Sequence, residues 1–316
     1  MIPKIEVVPY DSNWLRLFEE EAVKIKQTLN KACIAVHHVG STAVPGLCAK
    51  PKIDIITVVK ERTQSVSPFE KIGYEFRGEF NIPFHLGFRK RPPFTNINLH
   101  VFEEGNPEIE LNLLFRDYLR NHPKALEEYA ALKLELVRQD SSHEIIQGPF
   151  KGYTLGKDAF IKQTLDQAGF KGQCMRFCSH HDEWETARHF RNKYFFDKVP
   201  IADPYTWTFD HEDHVHFIFY QGTKIVGYAH IQLWPNQRAA LRIIVIDVSF
   251  RDQGLGGHFL TLCERWLKEK GYKSLQTQSS PEAYKFYRKQ AYTEMPFNDP
   301  DGYEGDPQDI DMGKVL

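Results

Sequence analysis

Short β-branched runs alternate with stretches of helical spacing along most of this 316-residue chain. Residues 10–29 place acids and apolar residues at offsets of three and four, which predicts a helix with Asp11 or Ser12 as its cap. A strand is predicted over 35–39, a second around Asp54 and another at 98–101. Farther on, 215–220 and 225–233 flank the Gln221-Gly222-Thr223-Lys224 turn and read as a hairpin. The apolar run 243–248 ends in a glycine turn, and from His258 a helix sets Phe259, Leu260, Leu262, Cys263, Trp266 and Leu267 on one face. Lys268 and Lys270 suit that helix's negative end, and Gly271 stops it. A short strand follows at 275–278, then a helix with Ser280 as cap and Pro281 in its first turn. These periods predict an α/β (α+β) protein of two domains, 1–168 and 173–316, meeting at Gly169-Phe170-Lys171-Gly172. That boundary has no Pro/Ser-rich tract, so the halves are expected to lie against each other.

The glycine turn carries the sharpest chemistry. Strand, glycines and helix start together aim free backbone N–H groups and a positive dipole end outward, a socket for phosphate. A P-loop would need Lys-Ser/Thr after the glycines, and none follows. A dinucleotide fingerprint would need a third glycine where Phe259 stands. What remains is Arg251-x-x-Gly254-x-Gly256, and a turn that merely packs a helix on a sheet is the plain alternative. Downstream, Ala283-Tyr284-Lys285-Phe286-Tyr287 leads to Gln290-Ala291-Tyr292.

These two blocks, in this order, resemble the GNAT superfamily of N-acetyltransferases. The resemblance covers roughly 173–316, although Gln290-Ala291-Tyr292 replaces the family's usual x-Gly-Phe. It implies an acyl-CoA N-acyltransferase fold and acetyl-CoA as acetyl donor. It implies coenzyme contacts at Ile244, Val245, Ile246, Arg251, Asp252, Gln253, Gly254, Leu255, Gly256, Gly257, Ser280, Ala283 and Tyr287. The Ile244 N–H would polarise the thioester carbonyl, a role typically worth about 3 kcal/mol. Backbone groups of Ile246 would pair with pantetheine, and Tyr287 would protonate the departing thiolate. Many members carry a glutamate base where this chain has Ala240. His230, a water relay or an acid of the Asp210–His214 cluster are the candidate bases. From Glu294 to Asp311 there are seven acids and no Lys or Arg. With Tyr205, Trp207, Phe209 and Trp234 as walls, they would attract a small cationic amine acceptor; a solvated loop is the alternative.

In the first half, Gly40-Ser41 follows a strand and Asp54 sits on the next. This arrangement, with the blocks at 98–101, 115–123, 129–133, Tyr153 and Lys157, resembles the GrpB-like family over roughly 4–168. The resemblance implies a nucleotidyltransferase-like fold and nucleotide or phosphate binding at Gly40, Ser41, Lys50 and Asp54. Active nucleotidyl transfer would want a second carboxylate on the Asp54 strand, where the alternating partner is Ile56; the later strand offers only His100. Nucleotidyl transfer and a non-catalytic coenzyme- or nucleotide-binding role stand as rivals to acetyl transfer.

Bulk properties narrow the rest. A net charge of −2 gives no footprint for nucleic acid or anionic membrane. No 18-residue apolar run or signal-peptide core occurs, so a cytoplasmic protein is expected. Five irregularly spaced cysteines predict reduced thiols, and Cys174, Cys178, His180 and His181 lack the second ligand pair of a zinc site, so no metal is expected. The oligomeric state is open.

Overall fold

Two large sheets and a two-stranded ribbon account for the strand pattern in the computed structural model. It describes all residues except 1–4, 94, 148–149, 198–202, 204–205 and 303–304. Tyr205 and Glu304, invoked above for the acceptor side, lie outside the described residues. The chain divides into two compact units, Met1–Cys174 with Gln221–Thr223, and Met175–Tyr220 with Lys224–Leu316.

The first unit opens with α1 (Asn13–Leu29), whose N-terminus is held by Asp11 Oδ1 accepting from the Asn13 N–H at 2.9 Å; Ser12 makes no such bond. Five strands follow: β1 (Cys33–Val39), β2 (Ile53–Val59), β3 (Glu75–Gly78), β4 (Leu86–Lys90) and β5 (Ile97–Glu103), with α2 (Val66–Lys71) between β2 and β3. Their order is β1-β2-β5-β4-β3, and β2 runs parallel to β5 with Asp54 opposite Asn98 and Ile56 opposite His100. β2 is apolar on both faces because both are covered. Ile53, Ile55 and Val59 pack with Ile25 of α1, while Ile56 and Val58 pack with Phe102 on the other side. Then come α3 (Pro107–Asn121), α4 (Pro123–Arg138), the ribbon β6 (Ile145–Gln147) and β7 (Phe150–Lys151), α5 (Gly152–Leu155) and α6 (Asp158–Gln167). Asn106 caps α3 by accepting from Glu108 N–H, ahead of Pro107 at the first helical position.

The second sheet has seven strands: β8 (Gln173–Phe177), β9 (His214–Gln221), β10 (Lys224–Trp234), β11 (Arg238–Ile246), β12 (Ser274–Ser279), β13 (Thr293–Glu294) and β14 (Ile310–Val315). Their order is β13-β14-β12-β11-β10-β9-β8. The helices are α7 (His181–Arg191), α8 (Leu255–Glu269) and α9 (Tyr284–Lys289). The apolar face of α8 lies on β9, where Phe259 stacks on Phe219 at 4.7 Å and Trp266 meets Phe217 edge-on at 5.2 Å. Phe259, Leu260 and Leu267 are fully buried, each worth about 1.5–3 kcal/mol of transfer free energy.

Two helix starts differ from the sequence expectation. α8 begins at Leu255, not His258, because Gly254 at φ +78° acts as the N-cap and the glycines after it continue the helix. α9 begins at Tyr284, and Ser280 is no side-chain cap. Instead, the Ser280 carbonyl accepts from the N–H groups of Ala283 and Tyr284 at 3.0 and 3.1 Å in the turn that holds Pro281.

Candidate functional site

β11 and β12 pair in parallel only from Arg238–Ser274 to Ala240–Gln276. Beyond that point the pairing stops, and a cavity of about 800 Å³ lies against the separated strand ends. The edge of β11 along this cavity has unpaired backbone groups for a simple reason. Asp247 N–H bonds Val226 O at 2.8 Å, and main-chain groups alternate sides along a strand. Val245 and Ile243 therefore face β10, while Ile246 and Ile244 turn their N–H and C=O groups outward. Ile244, Val245 and Ile246 all line the cavity. A bulge below them shifts the register at Arg242, since His230 pairs with Ile243 and Ile231 with Leu241.

At the strand's end, Asp247 accepts from Ser249 N–H, Lys193 Nζ and the Tyr194 hydroxyl at 2.9, 3.0 and 3.0 Å. The Ser249 backbone bond, followed by these side chains, holds the Asp247 carboxyl well below the usual carboxylate range. The chain then turns through Asp252 (φ +61°) and Gly254 (φ +78°) into α8. The first amide bonded back into that helix start is His258 N–H to Gly254 O at 3.1 Å, so the N–H groups of Leu255, Gly256 and Gly257 have no helical acceptor. All three residues line the cavity, with Arg251, Asp252 and Gly254. A Cβ on Gly254 would meet nothing within 4 Å, so its positive φ, not crowding, is what demands glycine in this structure. Arg251 donates from Nε to Ile246 O at 3.1 Å and lies over the Tyr194 ring. That bond occupies the carbonyl expected to pair with pantetheine and leaves the Ile246 N–H.

Ser280, Ala283 and Tyr287 line the opposite wall. Tyr287 is buried, and burial pushes its hydroxyl up to about 12 against an opposing hydrogen bond with Thr277. It is a neutral O–H at physiological pH. Gln253 and His230 are not among the cavity-lining residues. His230 is fully buried, with Nε2 2.8 Å from His214 Nδ1 and Nδ1 3.3 Å from an Arg191 nitrogen. Burial, then the neighbouring His216 and Arg191, drives its pKa far down, so it is neutral. Ala240, where a glutamate base was sought, is fully buried with Trp234 and Phe297, a packing that leaves no place for a carboxylate. Trp234 is thus core and not an acceptor wall, whereas Trp207 is half exposed beside His211 and His214. Four acids of the acidic segment are engaged internally: Asp299 pairs with Arg242, Asp301 accepts from Gln232 Nε2, Asp306 from Gln308 N–H, and Asp311 from Phe297 N–H and Gln278.

Sequence reasoning missed Tyr194, Phe195, Phe250, Phe286 and Gln290 of the cavity wall. Tyr194 arrives through a π-turn, Asn192–Phe196, which extends α7. The aromatic run Tyr194-Phe195-Phe196 after an amphipathic helix was the available signal.

In the first unit, Gly40 leaves β1 at φ +69°, and a Cβ there would lie 2.7 Å from Asp54 Oδ2. Asp54 accepts from Asn98 Nδ2 at 3.1 Å, and Ser41 starts a short 3₁₀ turn, Ser41–Ala43. The Lys50 ammonium sits 4.2 Å from the Tyr153 ring centroid. His100, the other candidate on this face, is bonded by His85 Nε2 at 3.0 Å. Among the described residues no group of three His, Cys, Asp or Glu is disposed to hold a metal, and no helix is long and apolar enough to cross a membrane.

Comparison with known proteins agrees with this division. Residues 4–167 match the GrpB protein family, and residues 180–292 match the acetyltransferase (GNAT) family. The UPF0157 protein YqkA of Bacillus subtilis is 39% identical over 171 residues, 52% of this chain and 47% of that protein. The chain therefore spans about half the length of that relative. The crystal structure of the conserved protein GrpB from Enterococcus faecalis is 37% identical, with a TM-score of 0.46, covering 52% of this chain and 96% of that one. The ribosomal-protein-S18-alanine N-acetyltransferase from Escherichia coli is 18% identical, with a TM-score of 0.38, covering 46% of this chain and 94% of that one. The chain belongs to the GrpB family, whose match takes in just over half of it, and it carries an acetyltransferase (GNAT) family domain after the GrpB segment.

Proposed function

We propose that the second unit transfers an acetyl group from acetyl-CoA to an amine, directly, in a ternary complex. The observation that carries this reading is the convergence on one cavity of three kinds of group. They are the free helix-start N–H groups of Leu255, Gly256 and Gly257, the outward edge of β11 at Ile244 and Ile246, and the neutral hydroxyl of Tyr287. The first suits a pyrophosphate, the second an extended amide chain and a thioester carbonyl, and the third a leaving thiolate. In the reaction the amine nitrogen forms a bond to the acetyl carbon as the C–S bond breaks. Ile244 N–H donates to the carbonyl oxygen as it gains charge. Tyr287 gives its proton to sulfur.

The amine's own proton needs a neutral acceptor. The His214–His230 pair is the candidate in place of His230 alone. His214 is only half-buried, and burial followed by His211 and Arg242 lowers it to about 4, so it is unprotonated at pH 7. Acids around the acceptor side favour a small cationic amine. The test is calorimetric titration with acetyl-CoA, then a thiol-release assay across amines and carboxylate-bearing acceptors. Micromolar binding with turnover on cationic amines is expected. Absence of heat with acetyl-CoA would sink the proposal, and turnover only on acidic acceptors would sink the acceptor class.

A further inference from the structure

The first unit gathers more ammonium charge than its carboxylates answer. Lys50, Lys133 of α4 and Lys157, just ahead of α6, come together around Tyr153 and Tyr129. Lys50 Nζ and Lys157 Nζ lie 4.2 and 4.7 Å from the centroid of the same Tyr153 ring. Lys133 is buried, donates to the Cys48 carbonyl and sits 5.1 Å from the Tyr129 ring centroid. The Ser41 side chain in turn opposes the upward push of burial on the Tyr129 hydroxyl. Among the described residues, the side chains of Lys50 and Lys157 make no hydrogen bond and no ion pair. Asp54 is the carboxylate that acts on all three lysines, and it is already shared by Asn98 at 3.1 Å and Lys52 at 3.8 Å.

This arrangement is unfavourable as it stands. Burial lowers each of the three lysines to about 8, and neighbouring lysines press in the same direction: Lys157 and Lys52 on Lys50, Lys50 on Lys133, Lys133 on Lys157. A ring face returns only about 0.5–1 kcal/mol to an exposed cation and cannot answer two at once. Meanwhile the neighbouring turn is firmly braced. Arg120 donates twice to Ala43 O, at 3.0 and 2.6 Å, and Arg116 to His38 O at 3.0 Å. A rigid turn with a hydroxyl, beside unanswered cations, is a site prepared for a multiply charged anion.

We propose that Lys50, Lys133, Lys157 and Ser41 bind a phosphorylated small molecule through its di- or triphosphate group, without a metal ion held by the protein. Phosphoryl oxygens supply several negative charges within the reach of three point-like ammonium groups, which a single carboxylate does not. The donor set argues against a protein-held cation. Asp54 has Asn98 opposite it instead of a second carboxylate, and His100 is committed to His85. This site is independent of acetyl transfer.

The test uses the full chain, titrated calorimetrically with pyrophosphate, tripolyphosphate and ATP, each with EDTA and with Mg²⁺. The same titrations are repeated in Gly254→Val, which impairs the other phosphate cradle. Heat that persists in EDTA and in Gly254→Val, and that weakens about tenfold in each of Lys50→Met and Lys157→Met, is the expected result. Tighter binding of ATP than of tripolyphosphate would point to a nucleotide, and the reverse to a free polyphosphate. Binding that needs Mg²⁺, vanishes only in Gly254→Val, or is absent up to millimolar concentration would overturn the proposal. If either methionine variant fails to fold, amine labelling of the unaltered chain decides. Pyrophosphate must slow labelling of Lys50 and Lys157 relative to Lys124, whose side chain is 90% exposed; equal rates would refute the site.

Discussion

Two clusters of buried polar groups, one in each unit, are built in opposite ways. In the second, every member of the network beneath β9 and β10 has an answer. Arg191 forms a two-pronged pair with Asp203 and donates to the Tyr228 hydroxyl at 3.2 Å. Tyr228 meets His216 Nδ1 at 2.7 Å, His216 reaches Thr208, and His230 bridges Arg191 and His214. In the first unit, Lys50 and Lys157 share one ring, and neither forms an ion pair with the Asp54 carboxylate that acts on both. A satisfied network fixes a fold, because any motion within it strands a charge. An unsatisfied one is tolerated only where something else supplies the missing partner. The free amides at Leu255–Gly257 belong to this second kind. The contrast separates scaffold from site without reference to any ligand.

The largest effect should come from breaking the satisfied network. Arg191→Met leaves the Asp203 carboxylate buried without its guanidinium, and a loss of about 3–5 kcal/mol in urea-denaturation stability is expected. A loss under about 1 kcal/mol would mean that the network is not structural and would blur the contrast. Next is Tyr287→Phe, which removes the O–H but keeps the ring in its packing with Phe286 and Tyr292. Turnover should fall by about 10²–10⁴ while acetyl-CoA affinity holds, as read by steady-state kinetics beside calorimetry. Equal losses in both would make Tyr287 a packing residue.

How much of this was legible in the sequence depends on range. The strand–glycine–helix run at 243–257 is local, and its apolar face, turn glycines and helix end follow from neighbours within a few positions. Even there, the helix start was misplaced. Glycines are read as turn formers, whereas Gly256 and Gly257 are helical, and of the three glycines Gly254 alone has a positive φ. Of the lysine cluster, the sequence marks only Lys50 as a phosphate ligand, while Lys133 and Lys157 enter as parts of motif blocks. Lys133 and Lys157 stand on or beside amphipathic helices, where a lysine ordinarily marks a solvated face, and only the folding of α4 and α5 around Cys48 and Tyr153 turns them inward. Ala240 was seen to lack a carboxylate, yet its reason, packing with Trp234 and Phe297 across some 60 residues, has no local signature.

A subtler break tests Gly254. Its Cβ would meet open space, so only the sign of φ opposes a side chain. A left-handed position costs a β-branched residue about 1–2 kcal/mol, and Gly254→Val should weaken coenzyme binding roughly tenfold. Gly254→Asn, which tolerates that region, should lose much less. Equal losses from both would locate the requirement in space around the ligand instead of in the backbone.

The smallest effect has the opposite sign and is the most diagnostic. Lys50 and Lys157 titrate at about 8 in the fold against an ordinary value of 10.5. Between those pH values the unfolded chain holds more protons than the folded one, so stability must rise with pH across that window. Below pH 8 both groups are charged in either state, and the full penalty of crowding them is present. Lys157→Met should therefore stabilise the protein at pH 7, by about 0.5–1 kcal/mol once its partial exposure to solvent is allowed for, and should flatten the rise above pH 8. Most truncations of half-buried residues destabilise, so a gain here would mark a group held against the interest of the fold. Pyrophosphate should reverse the pattern: a bound anion raises the lysine values, removes the alkaline rise and makes Lys157→Met the less stable of the two proteins. Denaturation curves from pH 7 to 10.5, with and without pyrophosphate, read all of these signs. A flat alkaline profile in the unaltered chain would return the lysines to the same class as the satisfied network around Arg191.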